Sequence, residues 1–484
     1  MPIQTWIILS QTFLHKLSAA INVFINKNCM NMKNLRKLFF AAGWMIVAAG
    51  LTLASCTKEG PAGANGKDGT NGANGANGKD ANETCIQCHS KAMVDAIAVE
   101  FQMSKHNWGI AAFEEAGNTT CGPCHEQLAY VYVCDNNTPS TFTFNATTKK
   151  WVNDYVTNAA NAIGSIGCYT CHSSLHTTYG TADLVLTNTE PVAMTMWGGA
   201  QTIDLAQGGG SSNLCVKCHQ PRPLTCGNDP SGRLLNYDSV LNYPLAVMYD
   251  SAAGAKNTML KPSYRMHVHY GAVGAVYAGV GAIEYDGTRD YTDSPHTTLA
   301  TCSDCHMAPL TGVAGGHSFN VRNGIETALT SSTTWNFNGC NTELCHAASP
   351  IDANSDKFKG TRAEVKVLLD ALAAKINACG GGNDILHKET SSANLWAGIT
   401  TNNYDGYLDI YSSSTNPGGY WRDPYNTSPT NMAKPKFPKL LMVQTGALIN
   451  FQFCLREYSL GIHNTQYVKA LLVNTVEALT AAGL

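Results

Sequence analysis

Cys302-Ser303-Asp304-Cys305-His306 sets two thiols three residues apart, with an imidazole directly after the second. The same order recurs at Cys85-Ile86-Gln87-Cys88-His89, Cys121-Gly122-Pro123-Cys124-His125, Cys168-Tyr169-Thr170-Cys171-His172 and Cys215-Val216-Lys217-Cys218-His219. Cys340-Asn341-Thr342-Glu343-Leu344-Cys345-His346 repeats it with four residues between the cysteines instead of two. Two thiols at the shorter spacing reach the two vinyl groups on one edge of a porphyrin, and the next residue then brings an imidazole to the iron. A redox dithiol or half a zinc site accounts for one such pair, but a zinc array has no need of His after every second Cys. The recurrence therefore predicts covalent haem c at five C-x-x-C-H sites, with a sixth at C-x-x-x-x-C-H. At the long-spaced site, a disulfide or stray thiols beside a chance His is the competing reading. The proximal ligands would be His89, His125, His172, His219, His306 and His346.

Six irons with two protein ligands each need six more imidazoles. Of fifteen His, six are proximal and His15 falls in an upstream extension. Eight remain: His106, His176, His267, His269, His296, His317, His387 and His463. His296 and His317 flank the 302–306 motif. His176 follows His172 by four residues, so it cannot easily reach the other face of the same haem and would serve a neighbour. Met is the rival axial ligand and raises the potential relative to His. Met307, directly after a proximal His, is badly placed for that role.

The elements that must position these residues are read from the rest of the chain. Its 484 residues are long enough for two or three ordinary domains, yet only 14% are charged and Gly is abundant. Such a chain suits an array of porphyrins that takes the place of a conventional core. Of eighteen cysteines, twelve are thioether candidates, and Cys29 and Cys56 belong to the targeting region. Cys134, Cys226, Cys379 and Cys454 remain, either as disulfides in one of three pairings or as buried free thiols.

Residues 1–31 read as an upstream extension. Met32–Lys37 is a basic n-region and 38–54 an apolar run ending in Leu53-Ala54-Ser55-Cys56, which resembles a bacterial lipobox. Residues 1–55 are therefore expected to be extension plus lipoprotein signal peptide, with Cys56 carrying lipid; a single transmembrane anchor is the alternative. Either implies export, as haem attachment and disulfides require. Removing 1–55 takes away five basic residues and no acid, so the net charge moves from −3 to −8. That balance does not suggest nucleic acid. Residues 60–80 hold seven Gly-x-y triplets with a single Pro, so 56–82 is expected to be a tether, with trimerisation the lesser reading.

The haem domain is expected over 83–350. A helix around 91–107 points Met93, Ile97, Phe101 and Met103 inward and presents His106. Residues 141–152 read as a hairpin, and 182–204 as a second β-like segment. Residues 227–262 are turn-rich, and a Gly/Ala run follows Met266–Gly271. The C-terminal region, 351–484, is expected to be helical and to pack back on the haems. A helix is predicted over 361–378 with Gly380–Gly382 as its stop, then loop over 390–438. Two helices over 440–483 are broken at 460–464, with Thr465 as the cap of the second. Gly461 would let the break approach a porphyrin closely.

Three phrases now carry a resemblance. They are N-L-C-x-x-C-H-Q-x-R at Asn213–Arg222, S-P-H…C-x-x-C-H-M…G-G-H-S-F at 294–319, and G-x-H-N at Gly461–Asn464. Over roughly 83–346 the chain resembles bis-His multihaem c-type cytochromes of exported electron-transfer systems. The resemblance implies a mainly α fold, with much irregular loop and small β insertions, wrapped around a packed haem array. It also implies iron ligation by His463 and His317. The expected distal set is then His106, His176, His269, His296, His317 and His463, with His267 and His387 as bystanders. No C-x-x-C-K is present, so the likeness does not extend to the lysine-ligated haem of ammonia-forming nitrite reductases.

Electron transfer through about six closely packed haems is the expected function, periplasmic or at the cell surface of an outer membrane. Redox proteins or extracellular acceptors would be the partners, the lipid the membrane link, and larger cytochrome complexes or filaments the assemblies. The alternative is an enzyme: a multihaem reductase of a small inorganic nitrogen or sulfur compound, with one open iron and a polar pocket beside it.

Overall fold

The computed structural model describes residues 91–108, 121–135, 143–145, 150–152, 166–172, 185–224, 235–250, 266–323, 334–382, 384–388, 400–408, 437 and 439–484. The signal and tether segments, Cys56, the first attachment motif at Cys85, Cys88 and His89, His176 and Cys226 all lie outside the described residues. The chain divides into two units, Met1–Asn77 and Gly78–Leu484, and every described residue belongs to the second.

Helices dominate, joined by irregular segments and by short antiparallel strand pairs. Those that bear on the site are α1 (Lys91–Gln102), α2 (Gln207–Cys218), α3 (Val273–Tyr277), α4 (Cys302–His306), α5 (Thr361–Ala378), α6 (Met442–Arg456) and α7 (Thr465–Ala481). The hairpin after the second motif forms, Thr143–Asn145 against Lys150–Val152, with Phe144 opposite Trp151. The second β segment is Val192–Ala193 against Thr202–Ile203.

Two stretches read as turn or loop contain regular structure. Within 227–262, Asn236 caps a helix at Tyr237–Asn242, its side chain accepting from the Ser239 amide at 3.0 Å. Strand Val247–Asp250 then pairs with Lys439–Leu441. Within 390–438, the buried strand Tyr404–Leu408 pairs with Leu386–Lys388. In both cases the partner strand supplies what local pattern lacks, so strand propensity alone does not reveal them.

A conventional apolar core exists, contrary to expectation. It extends from Val192 to Leu479 and is richest where α5, α6 and α7 pack on one another. Helix α5 buries Val365, Leu369, Leu372, Ala373 and Ile376, a stripe at helical spacing. All of α6 is buried, its polar residues included. Helix α1 differs: Ile97, Phe101 and Met103 are only half-buried, and Val99 is 54% exposed.

The break between α6 and α7 runs from Glu457 to Asn464. Gly461 has φ +87°, and a Cβ there would stand 2.7 Å from Val365 Cγ2. Its closeness serves packing on α5. Asn464 rather than Thr465 caps α7, accepting from the Tyr467 amide at 3.3 Å. Among the described residues, no helix is long and apolar enough to cross a membrane.

Candidate functional site

Each described C-x-x-C-H segment is one tight turn. The amides of His125, His172 and His219 donate to the carbonyls of Cys121, Cys168 and Cys215 at 3.1, 2.9 and 3.0 Å. In α4 the turn is fixed by a capping box: Thr301 Oγ1 accepts from the Asp304 amide at 3.3 Å, and Asp304 Oδ2 from the Thr301 amide at 2.7 Å. The long-spaced segment reaches the same closure by another route. The His346 amide donates to the Cys340 carbonyl at 3.0 Å, with the two extra residues looped out and Leu344 93% exposed. Gly339 makes this possible, because a Cβ there would collide with the Asp304 carbonyl oxygen of α4.

The expected proximal and distal imidazoles come together in pairs. Ring centroids are 6.1 Å apart for His219 and His106, 6.2 Å for His125 and His269, 6.4 Å for His346 and His296, and 6.3 Å for His306 and His463. Two imidazoles sharing one metal, each with a metal–nitrogen bond of about 2 Å and about 1.1 Å from nitrogen to ring centre, stand about 6.2 Å apart. Three pairs are steeply crossed, at 67°, 70° and 82°, whereas His306 and His463 are within 11° of parallel. His317 lies near His172. Burial holds His317 below its ordinary pKa and His172 adds to the lowering, while Glu100 opposes it.

Their second nitrogens are anchored. His306 Nδ1 meets the Phe319 carbonyl at 2.9 Å, His296 Nδ1 the Ile462 carbonyl at 2.8 Å and His463 Nδ1 the Glu457 carboxylate at 2.6 Å. Such acceptors fix the tautomer and leave Nε2 to bind metal. Burial brings His106 and His306 down to about 4, and lowers His219 and His269. All four are therefore neutral at pH 7, the form that ligates. His219 has much protein around it, yet the residue keeps surface open to solvent.

Buried amides position the rings from a distance. Gln452 of α6 accepts from the Val268 amide at 3.0 Å and donates to the carbonyls of Met266 and Gly406 at 3.0 and 2.6 Å, which fixes the segment that carries His269. Asn464 accepts from the Ser294 amide at 2.9 Å and donates to Asp293 Oδ1 at 2.8 Å. It thereby ties the segment bearing His296 to the break bearing His463.

The motifs also touch one another. The thiols of Cys124 and Cys218 stand beside one another, as do those of Cys215 and Cys302, and the Cys302 amide donates to Ser212 Oγ at 2.9 Å. Cys171 lies close enough to Cys215 and Cys218 to raise their thiol pKa values, behind the larger effects of the neighbouring thiol and burial. Cys340 and Cys345 act likewise on Cys305, which burial chiefly pushes up to about 12. The 215–219 motif thus has the second, third and fifth motifs as neighbours, and the fifth adjoins the sixth.

His267 also stands 6.2 Å from His269, but its nitrogens are engaged by Arg222 at 2.8 Å and Arg456 at 2.6 Å. His387 Nδ1 is held by Asp405 at 2.7 Å. Cys134, Cys379 and Cys454 are free thiols. Glu457 and Gln452 escaped sequence reasoning, since neither lies in a ligand motif; Asn464 is the last residue of the G-x-H-N phrase.

Among the described residues, no group of three or more His, Cys, Asp or Glu is arranged to hold a metal ion. A porphyrin-held iron asks the protein for only two ligands, and the imidazole pairs fit that requirement. No family model, curated protein or solved structure matches the chain.

Proposed function

We propose that this chain is a multihaem c-type cytochrome that carries electrons through six bis-His haem c groups. The carrying observation is the pairing: four proximal imidazoles each face an expected distal one at the span of a shared metal. Haem supplies one-electron exchange when bound. The residues of the chain hold the imidazoles neutral, orient them through Nδ1 and set the attachment cysteines of successive motifs side by side. His172 would pair with His317, and elimination leaves His176 for His89. On this reading every iron has two protein ligands, which favours transfer over turnover of a substrate. The lipid on Cys56, export and the Gly-x-y tether belong to the same proposal and put the array outside the inner membrane. The attachment residues would be Cys85 and Cys88, Cys121 and Cys124, Cys168 and Cys171, Cys215 and Cys218, Cys302 and Cys305, and Cys340 and Cys345.

A pyridine haemochrome assay with low-temperature EPR tests it. Six covalent haems, all low-spin, are expected. No covalent haem would overturn the cytochrome reading. A high-spin iron that turns over nitrite, hydroxylamine or tetrathionate would make the protein a reductase.

A further inference from the structure

Glu457 closes α6 and is buried, with 1% of its surface exposed. Its carboxylate faces three donors: His463 Nδ1 at 2.6 Å, the Gly461 amide at 2.8 Å and the Ser459 hydroxyl. Ser459 Oγ in turn accepts from the His463 amide at 3.0 Å. Burying a carboxylate costs several kcal/mol unless hydrogen bonds offset it. Here the three donors, His463 Nδ1, the Gly461 amide and the Ser459 hydroxyl, supply those bonds. The start of α7 needs none of this, because Asn464 already caps it. The cluster is built around one imidazole.

We propose that Glu457 is a positioning residue that acts through His463, holding the reduction potential of the His306/His463 haem below that of the crossed-ring sites. The inference rests on the haem reading above. A carboxylate on Nδ1 draws the ring proton toward itself and makes the imidazole a stronger donor. Its negative charge also favours the oxidised, more positive iron. At His296, in a crossed-ring pair, the acceptor is a neutral carbonyl, so neither effect operates with equal strength there.

The site carries its own spectroscopic label. Near-parallel imidazoles both donate into the same iron d orbital and separate it from its partner, while crossed rings raise the two together. The 11° pair should therefore give a rhombic low-spin signal distinct from those of the steeply crossed pairs.

The experiment is an EPR-monitored redox titration of the full-length holoprotein. Glu457→Gln should keep six haems and the rhombic signal while raising that signal's midpoint, and Glu457→Asp should restore most of the wild-type value. Ser459→Ala removes a donor that competes for the carboxylate, so it should lower the midpoint, and it carries the test if Glu457→Gln does not fold. Six low-spin haems with an unmoved rhombic midpoint would overturn the proposal, as would conversion of that iron to high-spin, which would leave Glu457 a purely structural role. A haemochrome count of zero would instead remove the haem reading itself.

Discussion

The His306/His463 and His125/His269 pairs have nearly the same separation, 6.3 and 6.2 Å, in opposite surroundings. One ring of the first pair leans on a buried carboxylate, and the two rings are almost parallel. In the second pair His269 Nδ1 is buried without a hydrogen-bond partner, and after burial itself Arg222 contributes most to holding its pKa well below the ordinary value. Spacing decides which residues pair. Residues outside the motifs decide what each pair favours electrically. On the haem reading the first site is the better electron donor and the second the better acceptor, and the 215–219 motif touches Cys302 on one side and Cys124 on the other.

The largest expected effects come from removing one ring of each pair. His463→Ala and His269→Ala should each leave six covalent haems and turn one iron high-spin. They should erase different signals: the rhombic one in the first variant, a crossed-ring one in the second. Loss of the same signal in both would mean that the two rings serve one site, and the comparison would collapse.

The identities of the paired rings were legible in the sequence because histidines are few. Which distal ring meets which proximal ring was not. His463 meets His306, and His269 meets His125, through chain reversals that no local pattern encodes. Helix α5 was legible to its exact ends because its apolar stripe repeats at helical spacing and glycines follow it. Strand Tyr404–Leu408 was not, since Asp405 and Gly406 interrupt any alternation and its burial depends on α6 above it. Glu457 was invisible for another reason: a Glu at a helix end reads as a solvated charge until the fold closes over it.

A middle-sized effect separates holding from tuning. Gln452 serves the His269 region as Asn464 serves the His463 region, each joining a ligand-bearing loop to the C-terminal helices. Replacing either with Ala strands buried backbone groups, at a cost of about 1–3 kcal/mol. Thermal unfolding should register both losses. Gln452→Ala should broaden a crossed-ring EPR signal and leave the rhombic one sharp, and Asn464→Ala the reverse. Equal broadening of both signals in each variant would show that the two regions share one support.

The smallest effect concerns a ring that belongs to neither pair. His387 Nδ1 donates to Asp405 Oδ2 across 2.7 Å, and Asp405 is buried, with its other oxygen accepting from the Tyr407 amide at 2.9 Å. The Asp405 backbone carbonyl also accepts from Arg456 at 3.0 Å, so this residue helps to organise the His267 and His269 side of the molecule. As an expected bystander, His387 would contribute to packing and polarity alone. His387→Gln keeps a hydrogen-bonding side chain of similar reach, so the stability loss should stay near 1 kcal/mol, the net worth of a single hydrogen bond. All six irons should remain low-spin, and both the rhombic and crossed-ring midpoints should hold within the resolution of the titration. His176→Ala is the matched variant and should turn one iron high-spin, because elimination assigns His176 to His89. A high-spin iron in His387→Gln, with none in His176→Ala, would exchange the two residues and move the twelfth ligand into the strand that pairs with Tyr404–Leu408.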